Sequence, residues 1–185
     1  MGLDITAYRN LKRIKDIPRL PNGRIDWDSV EDDMDKVILD INSDFPDQAR
    51  GHIGPGVYKR PTKSEDVRSF RAGSYSGYNG WRAFLCETVL GVSPQEVWKN
   101  PDDFMSKPFF ELINFSDCEG YIGPIAAGVL FEDFVEHEAA FVKAVEAVKS
   151  MDKSYQWFWD GYIESYQDWK KAFRLASDGG VVKFH

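Results

Sequence analysis

A glycine-rich polar stretch at residues 73–80 carries the side chains best suited to hold an anion. It follows an apolar segment that predicts a strand at 67–72 and precedes a segment that predicts a helix at about 81–90. Backbone N–H groups between a strand and a helix start favour an anion, and glycine lets a ligand approach closely. The candidate ligand-binding residues of this stretch are Arg71, Ser74, Tyr75, Tyr78, Asn79 and Arg82. The alternative is a tight connection in which Asn79 only caps the helix.

A second polar loop, residues 116–120, contributes two carboxylates, Asp117 and Glu119, after a segment that predicts a strand at 109–115. Two carboxylates at a strand end can bind a divalent ion or divide into a general acid and a general base. Loops at the same end of adjacent strands would converge on one cleft, so we add both residues to the candidate ligand site. A polar turn capped by Asp117 is the alternative.

Motifs for covalent catalysis, phosphate loops and metal binding are missing from the sequence. It has no Gly-x-Ser-x-Gly elbow, no Walker A loop and no dinucleotide fingerprint. Its histidines, His52, His137 and His185, have no metal spacing, and Glu132 and Glu136 lie beside the apolar stripe of their predicted helix. We therefore assign no catalytic residue, no metal ligand and no cofactor, and we favour a binding protein over an enzyme.

Negative charge is concentrated between residues 26 and 47, where Lys36 is the single basic residue. The net charge of −7 argues against binding to duplex nucleic acid or to an anionic membrane. A solvated surface is the simpler interpretation of the acidic segment. The alternative is a docking surface for a basic host protein, formed by Asp32, Asp33 and Asp35.

The order of strand-like and helix-like segments along the chain predicts one α+β domain over residues 1–185. We expect a small sheet, with strands near the N-terminus, at 67–72, at 109–115 and at the C-terminus, packed against two long C-terminal helices. Apolar spacing places these helices at about 125–151 and 154–177. Residues 16–61 form an irregular, acidic segment rich in proline and glycine. In the second helix Trp157 and Trp159 cannot both point where Phe158 points, so we expect at least one of them at a pocket wall or a homo-oligomer contact.

Three segments resemble a family of uncharacterised bacterial and phage proteins: the Met-Gly-Leu-Asp start, the block Gly-Ser-Tyr-Ser-Gly-Tyr-Asn-Gly-Trp-Arg at 73–82 and the block Phe-Ser-Asp-Cys-Glu-Gly-Tyr-Ile-Gly at 115–123. The resemblance covers most of the chain, brings no established activity and implies a small phage- or prophage-encoded protein. With only two cysteines and no signal peptide or spanning segment, we expect a cytoplasmic location. The expected function is binding of a phosphorylated or nucleotide-like small molecule. The alternatives are an acidic inhibitor or adaptor and a carboxylate-dependent hydrolase.

Overall fold

The computed structural model describes residues 2–30, 35–51, 53–151 and 153–185, apart from the side chain of Lys153. Its strands are β1 (Gly2–Tyr8), β2 (Lys12–Lys15), β3 (Lys36–Leu39), β4 (Gly56–Lys59), β5 (Val67–Ser74), β6 (Gly120–Ile122) and β7 (Val181–Phe184). Its α-helices are α1 (Tyr75–Leu90), α2 (Pro94–Lys99), α3 (Phe110–Ile113), α4 (Pro124–Glu136), α5 (Glu138–Met151) and α6 (Gln156–Ser177). The predicted α+β class is confirmed.

The strands form two antiparallel sheets. The main sheet has the order β5-β1-β7-β6, and the small sheet has the order β2-β4-β3. Alternation in β1 sends Leu3, Ile5 and Ala7 into the core beneath the helices, because successive side chains of a strand point to opposite faces. Tyr8 belongs instead to a second cluster with Val37 and other side chains between the two sheets.

The core under the helices is dominated by stacked aromatic rings. Trp169 of α6 is fully buried and lies 5.5 Å from Phe173 and 6.1 Å from Trp81, measured between ring centroids. Tyr166 of the same helix donates its hydroxyl hydrogen bond to the Phe134 carbonyl at 2.9 Å, so its polar end is satisfied inside the core. This packing fixes the long C-terminal helix across the inner face of the main sheet.

The strand predicted at 109–115 is wrong, because Phe110–Ile113 is a helical turn. Phe109 has a positive φ of 61°, and its backbone N–H donates to the Asp133 carboxylate at 2.7 Å. Its carbonyl accepts from the backbone N–H of Leu112 and of Ile113. A short apolar run that is buried on all sides has the same composition in a strand and in a helix. The periodicity of its apolar residues therefore could not show which of the two it forms. The strand of this region is β6, which begins at Gly120.

Two helix boundaries also differ from the sequence expectation. The helix predicted at 125–151 is interrupted at His137, where residues 136–140 provide no large apolar side chain to continue the buried stripe. The helix expected from residue 81 begins at Tyr75, so most of the predicted 73–80 loop is helical. Ser74, and not Asn79, caps it by accepting from the Gly77 N–H at 3.0 Å. Gly91 ends the helix in the left-handed region.

The irregular segment 16–61 contains the two strands β3 and β4. With β2 they build the small sheet, whose Val37, Leu39 and Tyr58 pack over the outer face of the main sheet. Residues 37–39 are thus part of a strand. Within the described ranges, no helix combines the length and the apolar character that crossing a bilayer requires.

Candidate ligand-binding cleft

The two polar loops singled out by the sequence meet through Asn79. Its side-chain N–H donates to the Asp117 carboxylate at 2.7 Å, and its side-chain oxygen accepts from the Arg82 guanidinium. Arg82 also donates to the Phe115 carbonyl at 2.8 Å. The structure therefore brings together Asn79, Arg82 and Asp117 at the junction of α1 with residues 113–117.

Arg82 makes its contacts inside the protein. It is only 3% exposed, and its guanidinium carbon lies 5.0 Å from the Tyr78 ring centroid and 5.2 Å from that of Trp98. Burial raises the pKa of Tyr78 to about 12, and the nearby Arg82 opposes the shift. A ligand at this junction would have to displace Asn79 or the Phe115 carbonyl, so the arrangement works as a clamp between α1 and the following loop.

The remaining candidates of the 73–80 stretch lie around the start of α1. Arg71 is exposed and 3.6 Å from the Asp4 carboxylate, and the Ser74 hydroxyl lies 3.1 Å from that of Ser76. Tyr75 is half-buried and packs against the helical core. In the part of the chain that the structure describes, no hydrogen bond or ion pair joins Arg71 or Ser74 to Asp117.

Glu119 is exposed and lines a cleft of about 750 Å³, which we call the sheet cleft. The cleft lies between residues 25–30, the strand β3 with the turn 40–44, and the β6–β7 edge of the main sheet. Its lining residues are Ile25, Trp27, Val30, Lys36, Ile38, Leu39, Asp40, Ile41, Asn42, Ser43, Asp44, Glu119, Gly120, Tyr121, Lys183 and Phe184. It mixes a few charged groups with apolar walls, as small-molecule sites do.

Lys183 is the cation whose environment is least expected. Its neighbours Val182 and Phe184 are buried under the helices, so Lys183 projects to the outer face of β7, where the sheet cleft lies. Thr6 and Tyr121 are its register partners on the two adjacent strands. Within the described residues no acceptor lies at hydrogen-bond or ion-pair distance from its ammonium. Desolvation lowers the pKa of Lys183 below its usual range.

The walls of the sheet cleft are held by contacts of their own. Asp40 is paired with Arg19 at 2.6 Å, and Asn42 donates to the Glu119 carbonyl at 3.3 Å. Gly120 has a φ of 104°, and a side chain there would approach the Asn42 Cβ to 2.9 Å, so only glycine fits. Trp27, in contrast, is 64% exposed, and its indole is free to cover a ligand.

Sequence reasoning found Glu119 but missed Lys183 and Trp27. A signal existed for Lys183, because a charged residue stands inside the otherwise apolar strand Val-Val-Lys-Phe. Lysine is rarely buried without a partner, so this position is the type of exception that marks function. No sequence signal places Trp27 beside β7, since the two are distant along the chain.

Asp32 and Asp33 lie outside the described residues, and the Asp35 carbonyl accepts from the Arg60 N–H, so docking of a basic protein stays a prediction.

Among the described side chains no three histidine, cysteine, aspartate or glutamate groups are arranged to hold a metal ion. Trp157 and Trp159 both line a smaller depression of about 340 Å³ with Tyr155 and Phe158.

No family model matches the chain, and no curated protein and no solved structure is significantly similar to it. The resemblance to bacterial and phage proteins therefore stays a prediction.

Proposed function

We propose that the protein binds a small phosphorylated molecule that carries a ring, such as a nucleotide, in the sheet cleft. The observation that carries this proposal is Lys183, a partly buried lysine with no counter-ion among the described residues. Desolvating a cation costs free energy unless a partner repays it, and a phosphate oxygen supplies that partner through a charge-assisted hydrogen bond.

The apolar part of the cleft supports a ring on the ligand. Trp27 presents an exposed indole, and Ile25, Ile38 and Ile41 line the same space. Stacking of a base on an aromatic side chain contributes about 1–3 kcal/mol and does not depend on base identity. The side chain of Trp27 would then close over a ring whose phosphate faces Lys183.

The acidic residues of the cleft favour a hydroxyl-bearing group between the ring and the phosphate. Asp40 is already neutralised by Arg19, while Asp44 and Glu119 line the cleft without a paired cation among the described residues. Carboxylates accept hydrogen bonds from hydroxyls and repel a second anion. A sugar monophosphate or a nucleoside monophosphate fits this charge pattern better than a polyphosphate does.

Isothermal titration with nucleoside monophosphates and sugar phosphates tests the proposal, with Lys183→Gln compared with the exposed Lys12→Gln. Loss of one charge-assisted hydrogen bond costs about 1.5–3 kcal/mol, which corresponds to roughly 10- to 100-fold weaker binding for Lys183→Gln alone. Quenching of Trp27 fluorescence, absent in Trp27→Phe, provides a second readout. Equal effects of the two lysine variants, or no binding across the panel, would refute the proposal.

The same titrations separate the sheet cleft from the junction at Asn79. If Asn79→Ala abolishes binding and Lys183→Gln does not, the ligand sits between α1 and the Asp117 loop. Steady release of phosphate in these samples, lost in Glu119→Gln, would instead favour the carboxylate-dependent hydrolase.

A further inference from the structure

We propose that Lys183 is a carbonyl-reactive amine, which forms an imine with an aldehyde or ketone group of a ligand in the sheet cleft. This inference rests on the proposed function in one respect, since the ligand must occupy the cleft. It goes further because it assigns a covalent step to Lys183, which in the proposed function only binds the phosphate of the ligand.

The position of Lys183 supplies the geometric conditions for an amine nucleophile. Its side chain leaves the outer face of β7 between the side chains of Thr6 and Tyr121, and both of these are largely buried. Lys183 therefore lies over the packed strands of the main sheet and lines the cleft. A carbonyl compound bound in the cleft would lie beside this residue.

Reactivity with a carbonyl requires the neutral amine. Desolvation lowers the pKa of Lys183 and so raises the fraction of neutral amine near neutral pH. Lys149 differs in this respect, because it lies 2.5 Å from Asp160. The hydrogen bond to Asp160 raises the pKa of Lys149 and favours the ammonium form, which has no lone pair to donate.

The step balances without any co-reactant. The Lys183 nitrogen forms a bond to the carbonyl carbon, the carbonyl oxygen leaves as water with the two protons of the amine, and a C=N bond remains. Protonation of the imine nitrogen restores the positive charge, so a ligand phosphate near Lys183 still faces a cation. Glu119 and Asp44 line the same cleft and are acceptors for the protons that move during this exchange.

Pyridoxal 5′-phosphate is a suitable probe, because it joins a ring, a phosphate and an aldehyde in one small molecule. The full chain is incubated with it at low conversion, reduced with cyanoborohydride and mapped by peptide mass spectrometry. We expect the reduced adduct mainly on Lys183, with less on Lys36 in the same cleft and on the exposed Lys12 and Lys59. Lys183→Arg keeps the charge but has no imine chemistry, and it should lose this adduct alone.

Pyridoxine 5′-phosphate, which has an alcohol in place of the aldehyde, distinguishes the two proposals. If it binds to the wild type and to Lys183→Arg but the aldehyde probe does not label Lys183, the imine inference fails and ligand binding stands. If Lys183 is labelled and pyridoxine 5′-phosphate does not bind, the proposed binding of phosphorylated ligands is refuted and the proposed imine formation at Lys183 is supported. Adducts that are spread evenly over the exposed lysines, or concentrated on Lys36, would overturn the inference. This result comes from the wild-type protein alone, so it does not depend on whether the variant folds.

Discussion

Replacing Arg82 by lysine tests whether the junction of α1 with the Asp117 loop is a structural clamp. The substitution keeps the positive charge and most of the length of the side chain. It removes the planar fork that reaches Asn79 and the Phe115 carbonyl at the same time. A lysine can keep one of these two acceptors, so the other becomes an unsatisfied group beside a buried cation.

The expected cost follows from the contacts that are lost. One charge-assisted hydrogen bond contributes about 1.5–3 kcal/mol, and weaker stacking on Tyr78 and Trp98 removes about another 0.5–1 kcal/mol. The free energy of unfolding should therefore fall by about 2–4 kcal/mol. For a chain of 185 residues this corresponds to a fall in Tm of about 5–15 °C.

Urea unfolding followed by circular dichroism measures this loss, with Arg174→Lys on the exposed side of α6 as the control. The control should stay within about 0.5 kcal/mol of the wild type. Because lysine cannot hold Asn79 and the Phe115 carbonyl together, its contact with Asn79 is weakened, and Asn79→Ala should cost less in the Arg82→Lys background than alone. A loss below about 1 kcal/mol, or strictly additive effects in this cycle, would refute the clamp.

Two further predictions concern stability. Gly180→Ala should destabilise the fold by about 2–4 kcal/mol in chemical denaturation, because the added Cβ would overlap the Tyr8 carbonyl. Gly161→Ala, with open space in α6, should instead stabilise the fold by about 1 kcal/mol. Equal effects of the two substitutions would contradict this packing. Desolvation, aided by Asp133, raises the pKa of Glu111, so the folded protein holds more protons than the unfolded chain as the pH rises above about 4. Stability should fall through that range, and Glu111→Gln should remove this part of the slope in pH-dependent denaturation; an unchanged slope would argue against the shift.

The class of fold was predictable because its strongest signals are local. The alternation of Leu3, Ile5 and Ala7 predicts β1, and the apolar spacing of the last third predicts α6. Gly91 marks a helix end through a conformation that other residues rarely adopt. Each of these signals depends on residues within a few positions of one another.

The run 109–115 was not predictable because a tertiary contact decides its conformation. The Asp133 carboxylate binds the Phe109 N–H from another helix, and Phe109 takes a left-handed backbone that a strand does not contain. Composition cannot reveal a partner that lies 24 residues away. The start of α1 was predicted too late for a related reason. Gly77 and Gly80 have low helix propensity, so the local sequence does not favour a helix there. The Ser74 cap and the burial of Tyr78 in the core stabilise these first turns instead.

The difference between the two candidate sites follows from how each one uses its polar groups. At the junction, the Asn79 side chain accepts a hydrogen bond from Arg82 and donates one to Asp117. The two opposite charges are thus linked by a hydrogen-bonded residue of the fold itself. At the sheet cleft, β3 and β4 pack over the outer face of the main sheet, and Lys183 has no partner among the described residues. Polar residues that satisfy one another stabilise a fold, whereas a desolvated charge without a partner lowers stability unless a ligand binds it. Lys183→Met should for this reason stabilise the ligand-free protein in thermal denaturation and weaken its response to a bound phosphate. A variant less stable than the wild type would mean that Lys183 already contributes to the fold.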